Sequence, residues 1–184
     1  MERFLMQNGK MIRNIMRNKI SAAVLLALAF IAVSCDPAKK YEEEEKSLIA
    51  NYVDDNNITV SPDSHGLYYI EVTPGTGEKI ETGDSVGVWY TGYYLTGKEF
   101  DSNTDDDTPF RFRVGTYYLI EGWSVGLPYM RLNAKAKLLM PSSLGYGTSG
   151  YGYYNTYGQY ITVIPGYTPL LFEIEVVELI RARK

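Results

Sequence analysis

Residues 170–179 read Leu-Leu-Phe-Glu-Ile-Glu-Val-Val-Glu-Leu, and apolar and acidic side chains alternate through the middle of this stretch. In an extended chain, Phe172, Ile174 and Val176 face one side and the intervening glutamates face the other. Such a strand has one buried face and one wet face. This is typical of an antiparallel sheet that is covered on a single side.

Working outward from this stretch, other segments repeat the alternation. The apolar positions that share a face are Phe110, Phe112 and Val114, then Ala136, Leu138 and Met140, and before them Val86, Val88 and Tyr90. Arginines or lysines occupy the opposite face of the first two segments, and Trp89 occupies that of the third. The sequence therefore predicts several half-buried strands of one antiparallel sheet.

One short segment can cover the apolar side of this sheet. Residues 119–127 predict a helix, because Ile120, Trp123 and Leu127 form an apolar stripe that Pro128 ends. A sheet with a single short helix predicts an α+β fold, an antiparallel half-barrel wrapped around that helix.

The composition excludes several chemistries. The chain has 184 residues, 45% of them hydrophobic and 22% charged, with one Cys and one His. A lone Cys rules out an intramolecular disulfide or a Cys-cluster zinc site. Neither Asp84-Ser85 nor Ser142-Ser143 has a His partner or a nucleophile-elbow pattern, so serine hydrolase chemistry is not expected. His65 is predicted to be a surface residue. The acidic run 101–107 lacks the Gly and Glu positions of a calcium loop, so a solvated turn is expected instead.

The first 34 residues predict a removable export signal. Basic residues precede an unbroken apolar run at 22–33, and this run is too short for a membrane-spanning helix, which needs about 20 residues. The run ends in Ala-Val-Ser before Cys35, a pattern that resembles the lipobox of bacterial lipoproteins. Cys35 is then the predicted lipidation site and membrane anchor, in the outer membrane or on the surface of a Gram-negative cell. An ordinary secretory signal with an incidental Cys is the alternative.

The mature chain is acidic. Removal of residues 1–34 takes away five basic residues and one acidic residue, which changes the net charge from −4 to −8. Phosphate binding needs a basic surface, so nucleic acid is not an expected partner. Residues 35–65 are interpreted as an acidic tether, solvated over 36–46, with a short helix at 43–55, and residues 66–184 as the folded domain. A monomer is the default expectation.

The face assignments turn many aromatic rings inward, namely Tyr90, Phe110, Phe112, Trp123 and Phe172, with Phe100 and Tyr146 in adjoining turns. Cores of this size are usually filled by Leu, Ile and Val. Rings that converge beside one carboxylate, Asp101, favour a preformed apolar pocket. Composition alone favours the alternative, that the rings are ordinary core residues.

Seven short motifs then occur in a fixed order, and together they resemble the FKBP-type peptidyl-prolyl cis-trans isomerases over about residues 66–180. The motifs are VWYTG at 88–92, GKEFDS at 97–102, PFRF at 109–112, IEGW at 120–123, AKL at 136–138, YG at 146–147 and LLFEIEVVEL at 170–179. The resemblance implies an antiparallel sheet around one short helix, as the alternation predicts independently. It also implies rotation of X-Pro bonds in proline-containing polypeptides, without a cofactor or metal.

The resemblance also implies site residues. A proline pocket is expected with Trp123 as its floor, with walls from Tyr90, Phe100, Phe110 and Phe172, and with Leu119, Ile120 and Ile164 completing it. The backbone N–H of Ile120 and the hydroxyl of Tyr146 are expected to bind peptide carbonyl groups, and Asp101 is expected at the rim beside the Tyr90 hydroxyl.

The main departure from the family is a Tyr- and Gly-rich insertion at 148–163. It is either an adaptable aromatic surface for a polypeptide or an excursion that folds onto the domain. Three functions therefore stay open. They are a lipid-anchored isomerase that assists folding of exported proteins, a polypeptide-holding chaperone or receptor of the same fold, and a surface-assembly protein whose pocket is only core.

Overall fold

The computed structural model describes residues 37–183, and from Tyr41 onward they form one compact unit. The elements in chain order are α1 (Pro37–Asp55), β1 (Tyr68–Thr73), β2 (Ser85–Tyr94), β3 (Glu99–Ser102), β4 (Phe110–Arg113), α2 (Glu121–Gly126), a 3₁₀ turn (Leu127–Tyr129), β5 (Lys135–Met140), a second 3₁₀ turn (Ser142–Leu144), β6 (Tyr151–Tyr154), β7 (Tyr160–Ile164) and β8 (Leu170–Ile180).

Six of the strands form one antiparallel sheet in the order β1-β5-β8-β2-β3, and β4 pairs with β2 on the same edge as β3. The register places Ile174 on β8 opposite both Ala136 on β5 and Tyr90 on β2. The predicted inward-facing residues are therefore strand neighbours in one row. This confirms the α+β fold with an antiparallel sheet.

The inner face of the sheet holds the core, as the alternation predicts. Val88, Leu138, Phe172 and Ile174 are all buried there, and Trp123 of α2 packs in the same cluster. The two glycines of α2 lie against β5. A Cβ atom on Gly126 would stand 2.5 Å from a methyl carbon of Leu138, and one on Gly122 would stand 2.4 Å from the sulfur of Met140. The helix reaches the sheet this closely because it lacks side chains at those points.

Helix α2 is shorter than predicted. Leu119 and Ile120 precede it, and Ile120 has an extended backbone with φ −60° and ψ 140° and provides no side-chain cap. After Gly126 the chain tightens into the 3₁₀ turn that contains Pro128, because proline cannot continue α-helical hydrogen bonding. The two predicted pocket residues Leu119 and Ile120 therefore lie before the helix rather than in its first turn.

Helix α1 is longer than predicted. It begins at Pro37, six residues before the expected start, so the acidic tether is helical over 37–46 rather than an irregular linker. Proline suits a first helical turn, and Lys and Glu have high helix propensity. The prediction that the acidic run is fully solvated is wrong at Glu45, which is buried. No helix within residues 37–183 is long and apolar enough to cross a membrane.

One end of the outer sheet face is not wet. Leu139 and Leu171 are paired across β5 and β8, and both are buried although they point away from the inner core. Ile49 of α1 lines a groove together with Tyr68, the β1 neighbour of Leu139. Helix α1 thus lies beside this end of the outer face. The predicted signal segment and Cys35 lie outside the described residues.

The inserted segment is a two-stranded hairpin, β6–β7, rather than an irregular loop. Its turn is organised by Asn155, whose side-chain oxygen accepts hydrogen bonds from the N–H groups of Tyr157 and Gln159, both at 2.9 Å. Gly158 completes the turn with φ +74°. The sequence did not predict this hairpin, because its repeated Tyr and Gly residues show no alternation of apolar and polar side chains.

A buried carboxylate ties the end of the chain to the start of β2. The side chain of Asp84 accepts hydrogen bonds from the backbone N–H groups of Glu81 and Ala182, at 2.9 and 3.0 Å, and from the Arg181 guanidinium at 2.7 Å. Burial acts to raise the pKa of Asp84. The three hydrogen bonds and the positive charge of Arg181 outweigh burial, so the pKa is lowered.

We expect Asp84→Asn to lower the free energy of unfolding by about 1–3 kcal/mol at neutral pH, because a neutral amide cannot accept all three bonds. The lowered pKa means that Asp84 contributes stability above its unfolded pKa of about 4, and that this stability is lost as the pH falls through the folded pKa. Melting temperatures between pH 7 and pH 2 should therefore fall less at the acid end in Asp84→Asn than in wild type. An equal acid dependence in both proteins would contradict this assignment, and Asp107→Asn on the exposed turn is the control.

Candidate active site

A cavity of about 270 Å³ opens where β2, β3 and β4 approach the start of α2. Its lining is almost entirely aromatic and apolar. The residues that line it are Tyr90, Asp101, Phe110, Tyr118, Leu119, Ile120, Trp123, Tyr146, Tyr151 and Phe172.

Trp123 is the most central ring. Tyr90, Phe172 and Phe110 meet it edge-on, with ring-centroid distances of 5.0, 5.5 and 6.2 Å. Edge-to-face packing is a favoured aromatic geometry and fixes the rings without closing the space above them. Among residues 37–183, the indole Nε1 of Trp123 is the one buried side-chain nitrogen or oxygen without a hydrogen-bond partner.

The rim carries a tyrosine and a carboxylate. The Tyr90 hydroxyl donates a hydrogen bond of 2.8 Å to the carboxylate of Asp101. Burial, and then this hydrogen bond, raise the pKa of Tyr90 far above its usual range. Tyr90 is therefore a fixed donor to Asp101 at any physiological pH.

The backbone of Tyr90 is held by Asn103, a residue that sequence reasoning placed in an acidic turn without a role. The Asn103 side chain accepts from the N–H of Tyr90 at 2.7 Å and donates to the carbonyl of Val88 at 3.1 Å. Asn103 is buried, so these two bonds satisfy its amide away from water. No sequence signal marked Asn103, because its partners lie on β2, between the residues that pair with β4 and those that pair with β3.

Tyr146 stands across the cavity, just after the second 3₁₀ turn. Its ring packs on that of Tyr151 with a centroid distance of 5.3 Å. Burial raises the pKa of Tyr146, and the negative charge of Asp101 adds to this effect. The hydroxyl stays protonated at neutral pH and can donate a hydrogen bond into the cavity.

Most of the predicted site residues line the cavity, but two do not. Phe100 lies behind Phe172, with its ring perpendicular to that of Phe172 at 5.6 Å. Ile164 is buried at the base of the hairpin, where it pairs with Tyr151. Both lie outside the cavity lining.

Sequence reasoning missed two lining residues, Tyr118 and Tyr151. Tyr118 precedes the predicted pocket residue Leu119, and the residue is 61% exposed. Tyr151 is the first residue of β6 and reaches the cavity because the hairpin starts at its edge. The high Tyr content of the insertion was the available signal, but position relative to the cavity is a tertiary property.

The family model of FKBP-type peptidyl-prolyl cis-trans isomerases matches residues 76–177, more than half of the chain. The chain belongs to this family of isomerases. The protein is 38% identical over 104 residues to FK506-binding protein 1A of Aspergillus fumigatus, an alignment that covers 56% of this chain and 85% of that one. It is 33% identical over 114 residues to the FK506-binding protein of Neisseria meningitidis, covering 62% and 96%.

Solved structures agree with this FKBP-type assignment. A peptidyl-prolyl cis-trans isomerase of Pseudomonas syringae superposes with a TM-score of 0.64 and 31% identity, covering 80% of this chain and 99% of that one. Isomerases of this FKBP type act on proline-containing peptides. The matched range contains all of the residues that line the cavity.

A glycine under two aromatic rings of this FKBP domain provides a test of the site. Gly92 lies opposite Phe172 in the sheet, and a Cβ atom on it would stand 2.6 Å from Phe100 and 2.9 Å from Phe172. We expect Gly92→Ala to displace both rings and to destabilise the domain by about 1–3 kcal/mol, as overpacking does. Thermal unfolding and near-ultraviolet circular dichroism would measure this. The double variant Gly92→Ala/Phe100→Leu should regain part of the lost stability, and no regain would contradict the proposed clash.

Proposed function

We propose that this protein is a lipid-anchored prolyl isomerase that assists the folding of exported proteins, and that the aromatic cavity is the site where the X-Pro bond rotates. The observation that carries the proposal is the cavity itself. Its rings surround Trp123, and its rim carries the Tyr90–Asp101 hydrogen bond.

The reaction sets modest chemical demands. Rotation about the C–N bond of a peptide meets a barrier of roughly 18–20 kcal/mol, because amide resonance must be broken. Uncatalysed X-Pro rotation therefore takes tens of seconds or more. Since no covalent bond is exchanged, the reaction needs no nucleophile, metal or cofactor. A site has only to bind the twisted amide better than the planar one.

An apolar cavity meets this demand. The planar amide has a charge-separated resonance form that water stabilises, and the twisted amide has lost it. Transfer out of water therefore costs the twisted state less than the planar state. Rings that exclude water around the proline favour rotation for this reason.

The lining residues can be given roles on this basis. Trp123 forms the floor under the proline ring, and Tyr90, Phe110 and Phe172 form the walls, with Phe100 and Ile164 supporting them from behind. The Tyr146 hydroxyl donates to a substrate carbonyl, as does the N–H of Ile120 at the start of α2, where helix N–H groups lack intrahelical acceptors. Favouring the twisted state by about 4 kcal/mol would accelerate rotation roughly a thousandfold.

A protease-free isomerisation assay on the chain from Asp36 onward tests this proposal. We expect Asp101→Val to lower kcat/KM at least about tenfold, which is a loss of about 1.4 kcal/mol of transition-state stabilisation. The variant loses the acceptor that orients the Tyr90 ring. Phe172→Leu should act in the same direction by shortening one wall.

Asp105→Val is the matched control, because Asp105 is an exposed carboxylate of the same acidic turn and does not line the cavity. It should keep wild-type activity, and all variants should keep wild-type circular dichroism. Wild-type protein that accelerates no X-Pro peptide, or an Asp101→Val variant as fast as wild type, would refute the assigned site.

A second candidate function, holding of unfolded polypeptides, is favoured by the hairpin. Residues 141–172 contain no charged residue, and four tyrosines of the hairpin are more than half exposed, namely Tyr153, Tyr154, Tyr157 and Tyr160. Tyrosine offers a large contact area with few rotatable bonds. If the isomerisation assay shows no acceleration while the protein suppresses aggregation of a denatured client, this second function replaces the first.

The proposed anchor rests on the N-terminal sequence. A basic segment, an apolar run at 22–33 and small residues lead to Cys35, the only cysteine. Several acyl chains, each contributing about 0.8 kcal/mol per buried methylene, would hold the protein on a membrane without a spanning helix. Exposure to exported polypeptides in the envelope of a Gram-negative cell follows from this location.

Radiolabelled palmitate tests the anchor in cells. We expect wild-type protein to take up label and to partition into the detergent phase, and Cys35→Ala to do neither. Ser34→Ala is the control and should still be labelled, because it leaves the modified thiol in place. Label that persists in Cys35→Ala, or wild-type protein without label, would contradict lipidation at this residue.

A further inference from the structure

The single buried residue of α1 is a carboxylate. Glu45 is 8% exposed, although the glutamates on its N-terminal side are exposed. Both of its oxygens accept hydrogen bonds from Ser142, one from the backbone N–H and the other from the hydroxyl at 3.0 Å. Burying a carboxylate is costly unless its oxygens are satisfied, so α1 can seat in this position only when it meets both donors.

Ser142 in turn holds the backbone on both sides of Tyr146. The Ser142 carbonyl accepts hydrogen bonds from the N–H groups of Gly145 and Gly147, both at 2.8 Å. The Tyr146 carbonyl accepts from Gly150 at 3.1 Å, which leads into β6. A change in the position of Ser142 therefore shifts Tyr146 and the start of the hairpin.

A second contact of α1 reaches the other end of the same segment. The Tyr41 ring stacks on Tyr167 with a centroid distance of 5.3 Å and an interplanar angle of 22°. The N–H of Tyr167 donates to the carbonyl of Gly147 at 3.0 Å. Tyr167 has φ +57°, a left-handed conformation that is unfavourable for a residue with a side chain. The stack and the hydrogen bond hold it there.

These two contacts lie on one face of the helix, because Tyr41 and Glu45 are four residues apart. Beside these two contacts, a groove of about 490 Å³ remains between α1 and the Ser142 turn. Hydrophobic contact is non-directional, whereas a carboxylate with two donors accepts only one placement. The polar contact therefore sets where the helix meets the segment that runs from Ser142 to Tyr167.

We propose that α1 is a positioning element for the cavity, with Glu45 as the residue through which it places Ser142 and hence Tyr146. Glu45 does not line the cavity and acts through its neighbours. The inference rests on the proposed isomerase function, because Tyr146 is there assigned to bind the substrate carbonyl. It extends the functional unit to a helix that lies outside the family's matched range.

The test uses the full chain purified in detergent and a short proline peptide. We expect Glu45→Ala to lower kcat/KM about fivefold, within the range seen for residues that act through neighbours. Glu45→Gln should restore at least half of the wild-type value, because its oxygen still accepts from the Ser142 N–H and its amide can donate to the hydroxyl. Glu43→Ala, an exposed acidic residue of the same helix, should match wild type.

Two further measurements separate positioning from general loss of stability. In a Tyr146→Phe background, Glu45→Ala should lower kcat/KM by less than twofold, because the group that it positions is already gone. Amide hydrogen exchange should become faster at Gly145, Gly147 and Tyr167 in Glu45→Ala, while β8 stays protected as in wild type.

The inference is overturned if active wild-type protein and Glu45→Ala share the same kcat/KM, if Glu45→Gln does not restore activity, or if the loss is equally large in the Tyr146→Phe background. Faster exchange throughout the sheet, including β8, would also overturn it in favour of global destabilisation. A wild-type chain that accelerates no X-Pro peptide overturns the isomerase proposal itself, and so is distinguishable from these outcomes.

Discussion

The backbone hydrogen-bonding groups along one edge of β2 pair with two different strands, and the cavity depends on how the groups between those strands are hydrogen-bonded. β4 pairs with residues 85–88, β3 pairs from Thr91 onward, and Tyr90 falls between them. The buried amide of Asn103 accepts from the Tyr90 N–H and donates to the Val88 carbonyl, so the two strands can part without leaving buried polar groups unpaired. Between the two strands, the Tyr90 ring contacts Trp123 at the rim of the cavity.

The cavity combines apolar walls with a few donors whose protonation does not change. Burial raises the pKa values of Tyr90 and Tyr146, so both hydroxyls stay donors across the physiological range. One donor is used inside the protein, on Asp101, and the other faces the cavity. A site of this kind can orient an amide and exclude water from it. These are the two requirements for lowering a barrier that arises from resonance rather than from bond cleavage.

Two elements are added to the sheet and its short helix. The hairpin β6–β7 carries an uncharged, Tyr-rich surface to the edge of the cavity, and α1 meets the chain at both ends of the segment that contains the hairpin. The contacts of α1 with this segment are a buried carboxylate and an aromatic stack. Directional contacts of this type fix one geometry, and α1 is also the element that follows the predicted anchor at Cys35 in the chain.

The sequence by itself determined the antiparallel sheet, its inward face and the family, because alternation with a period of two assigns each strand residue to a side, and because the family motifs occur in order. It also brought Tyr90, Trp123 and Phe172 into one proposed site. Only the tertiary structure decided that Asn103 bonds the edge of β2 between its β4-paired and β3-paired stretches, that Tyr118 and Tyr151 reach the cavity, that the insertion is a hairpin and that Glu45 is buried. The hairpin is local in sequence and was missed because its Tyr and Gly residues show no alternation of apolar and polar side chains. The other three features depend on a partner farther along the chain, such as Ser142, which is separated from Glu45 by 97 positions. Local patterns carry no information about such a partner, since a glutamate in a charged helix has the same sequence signature whether it meets water or a buried serine.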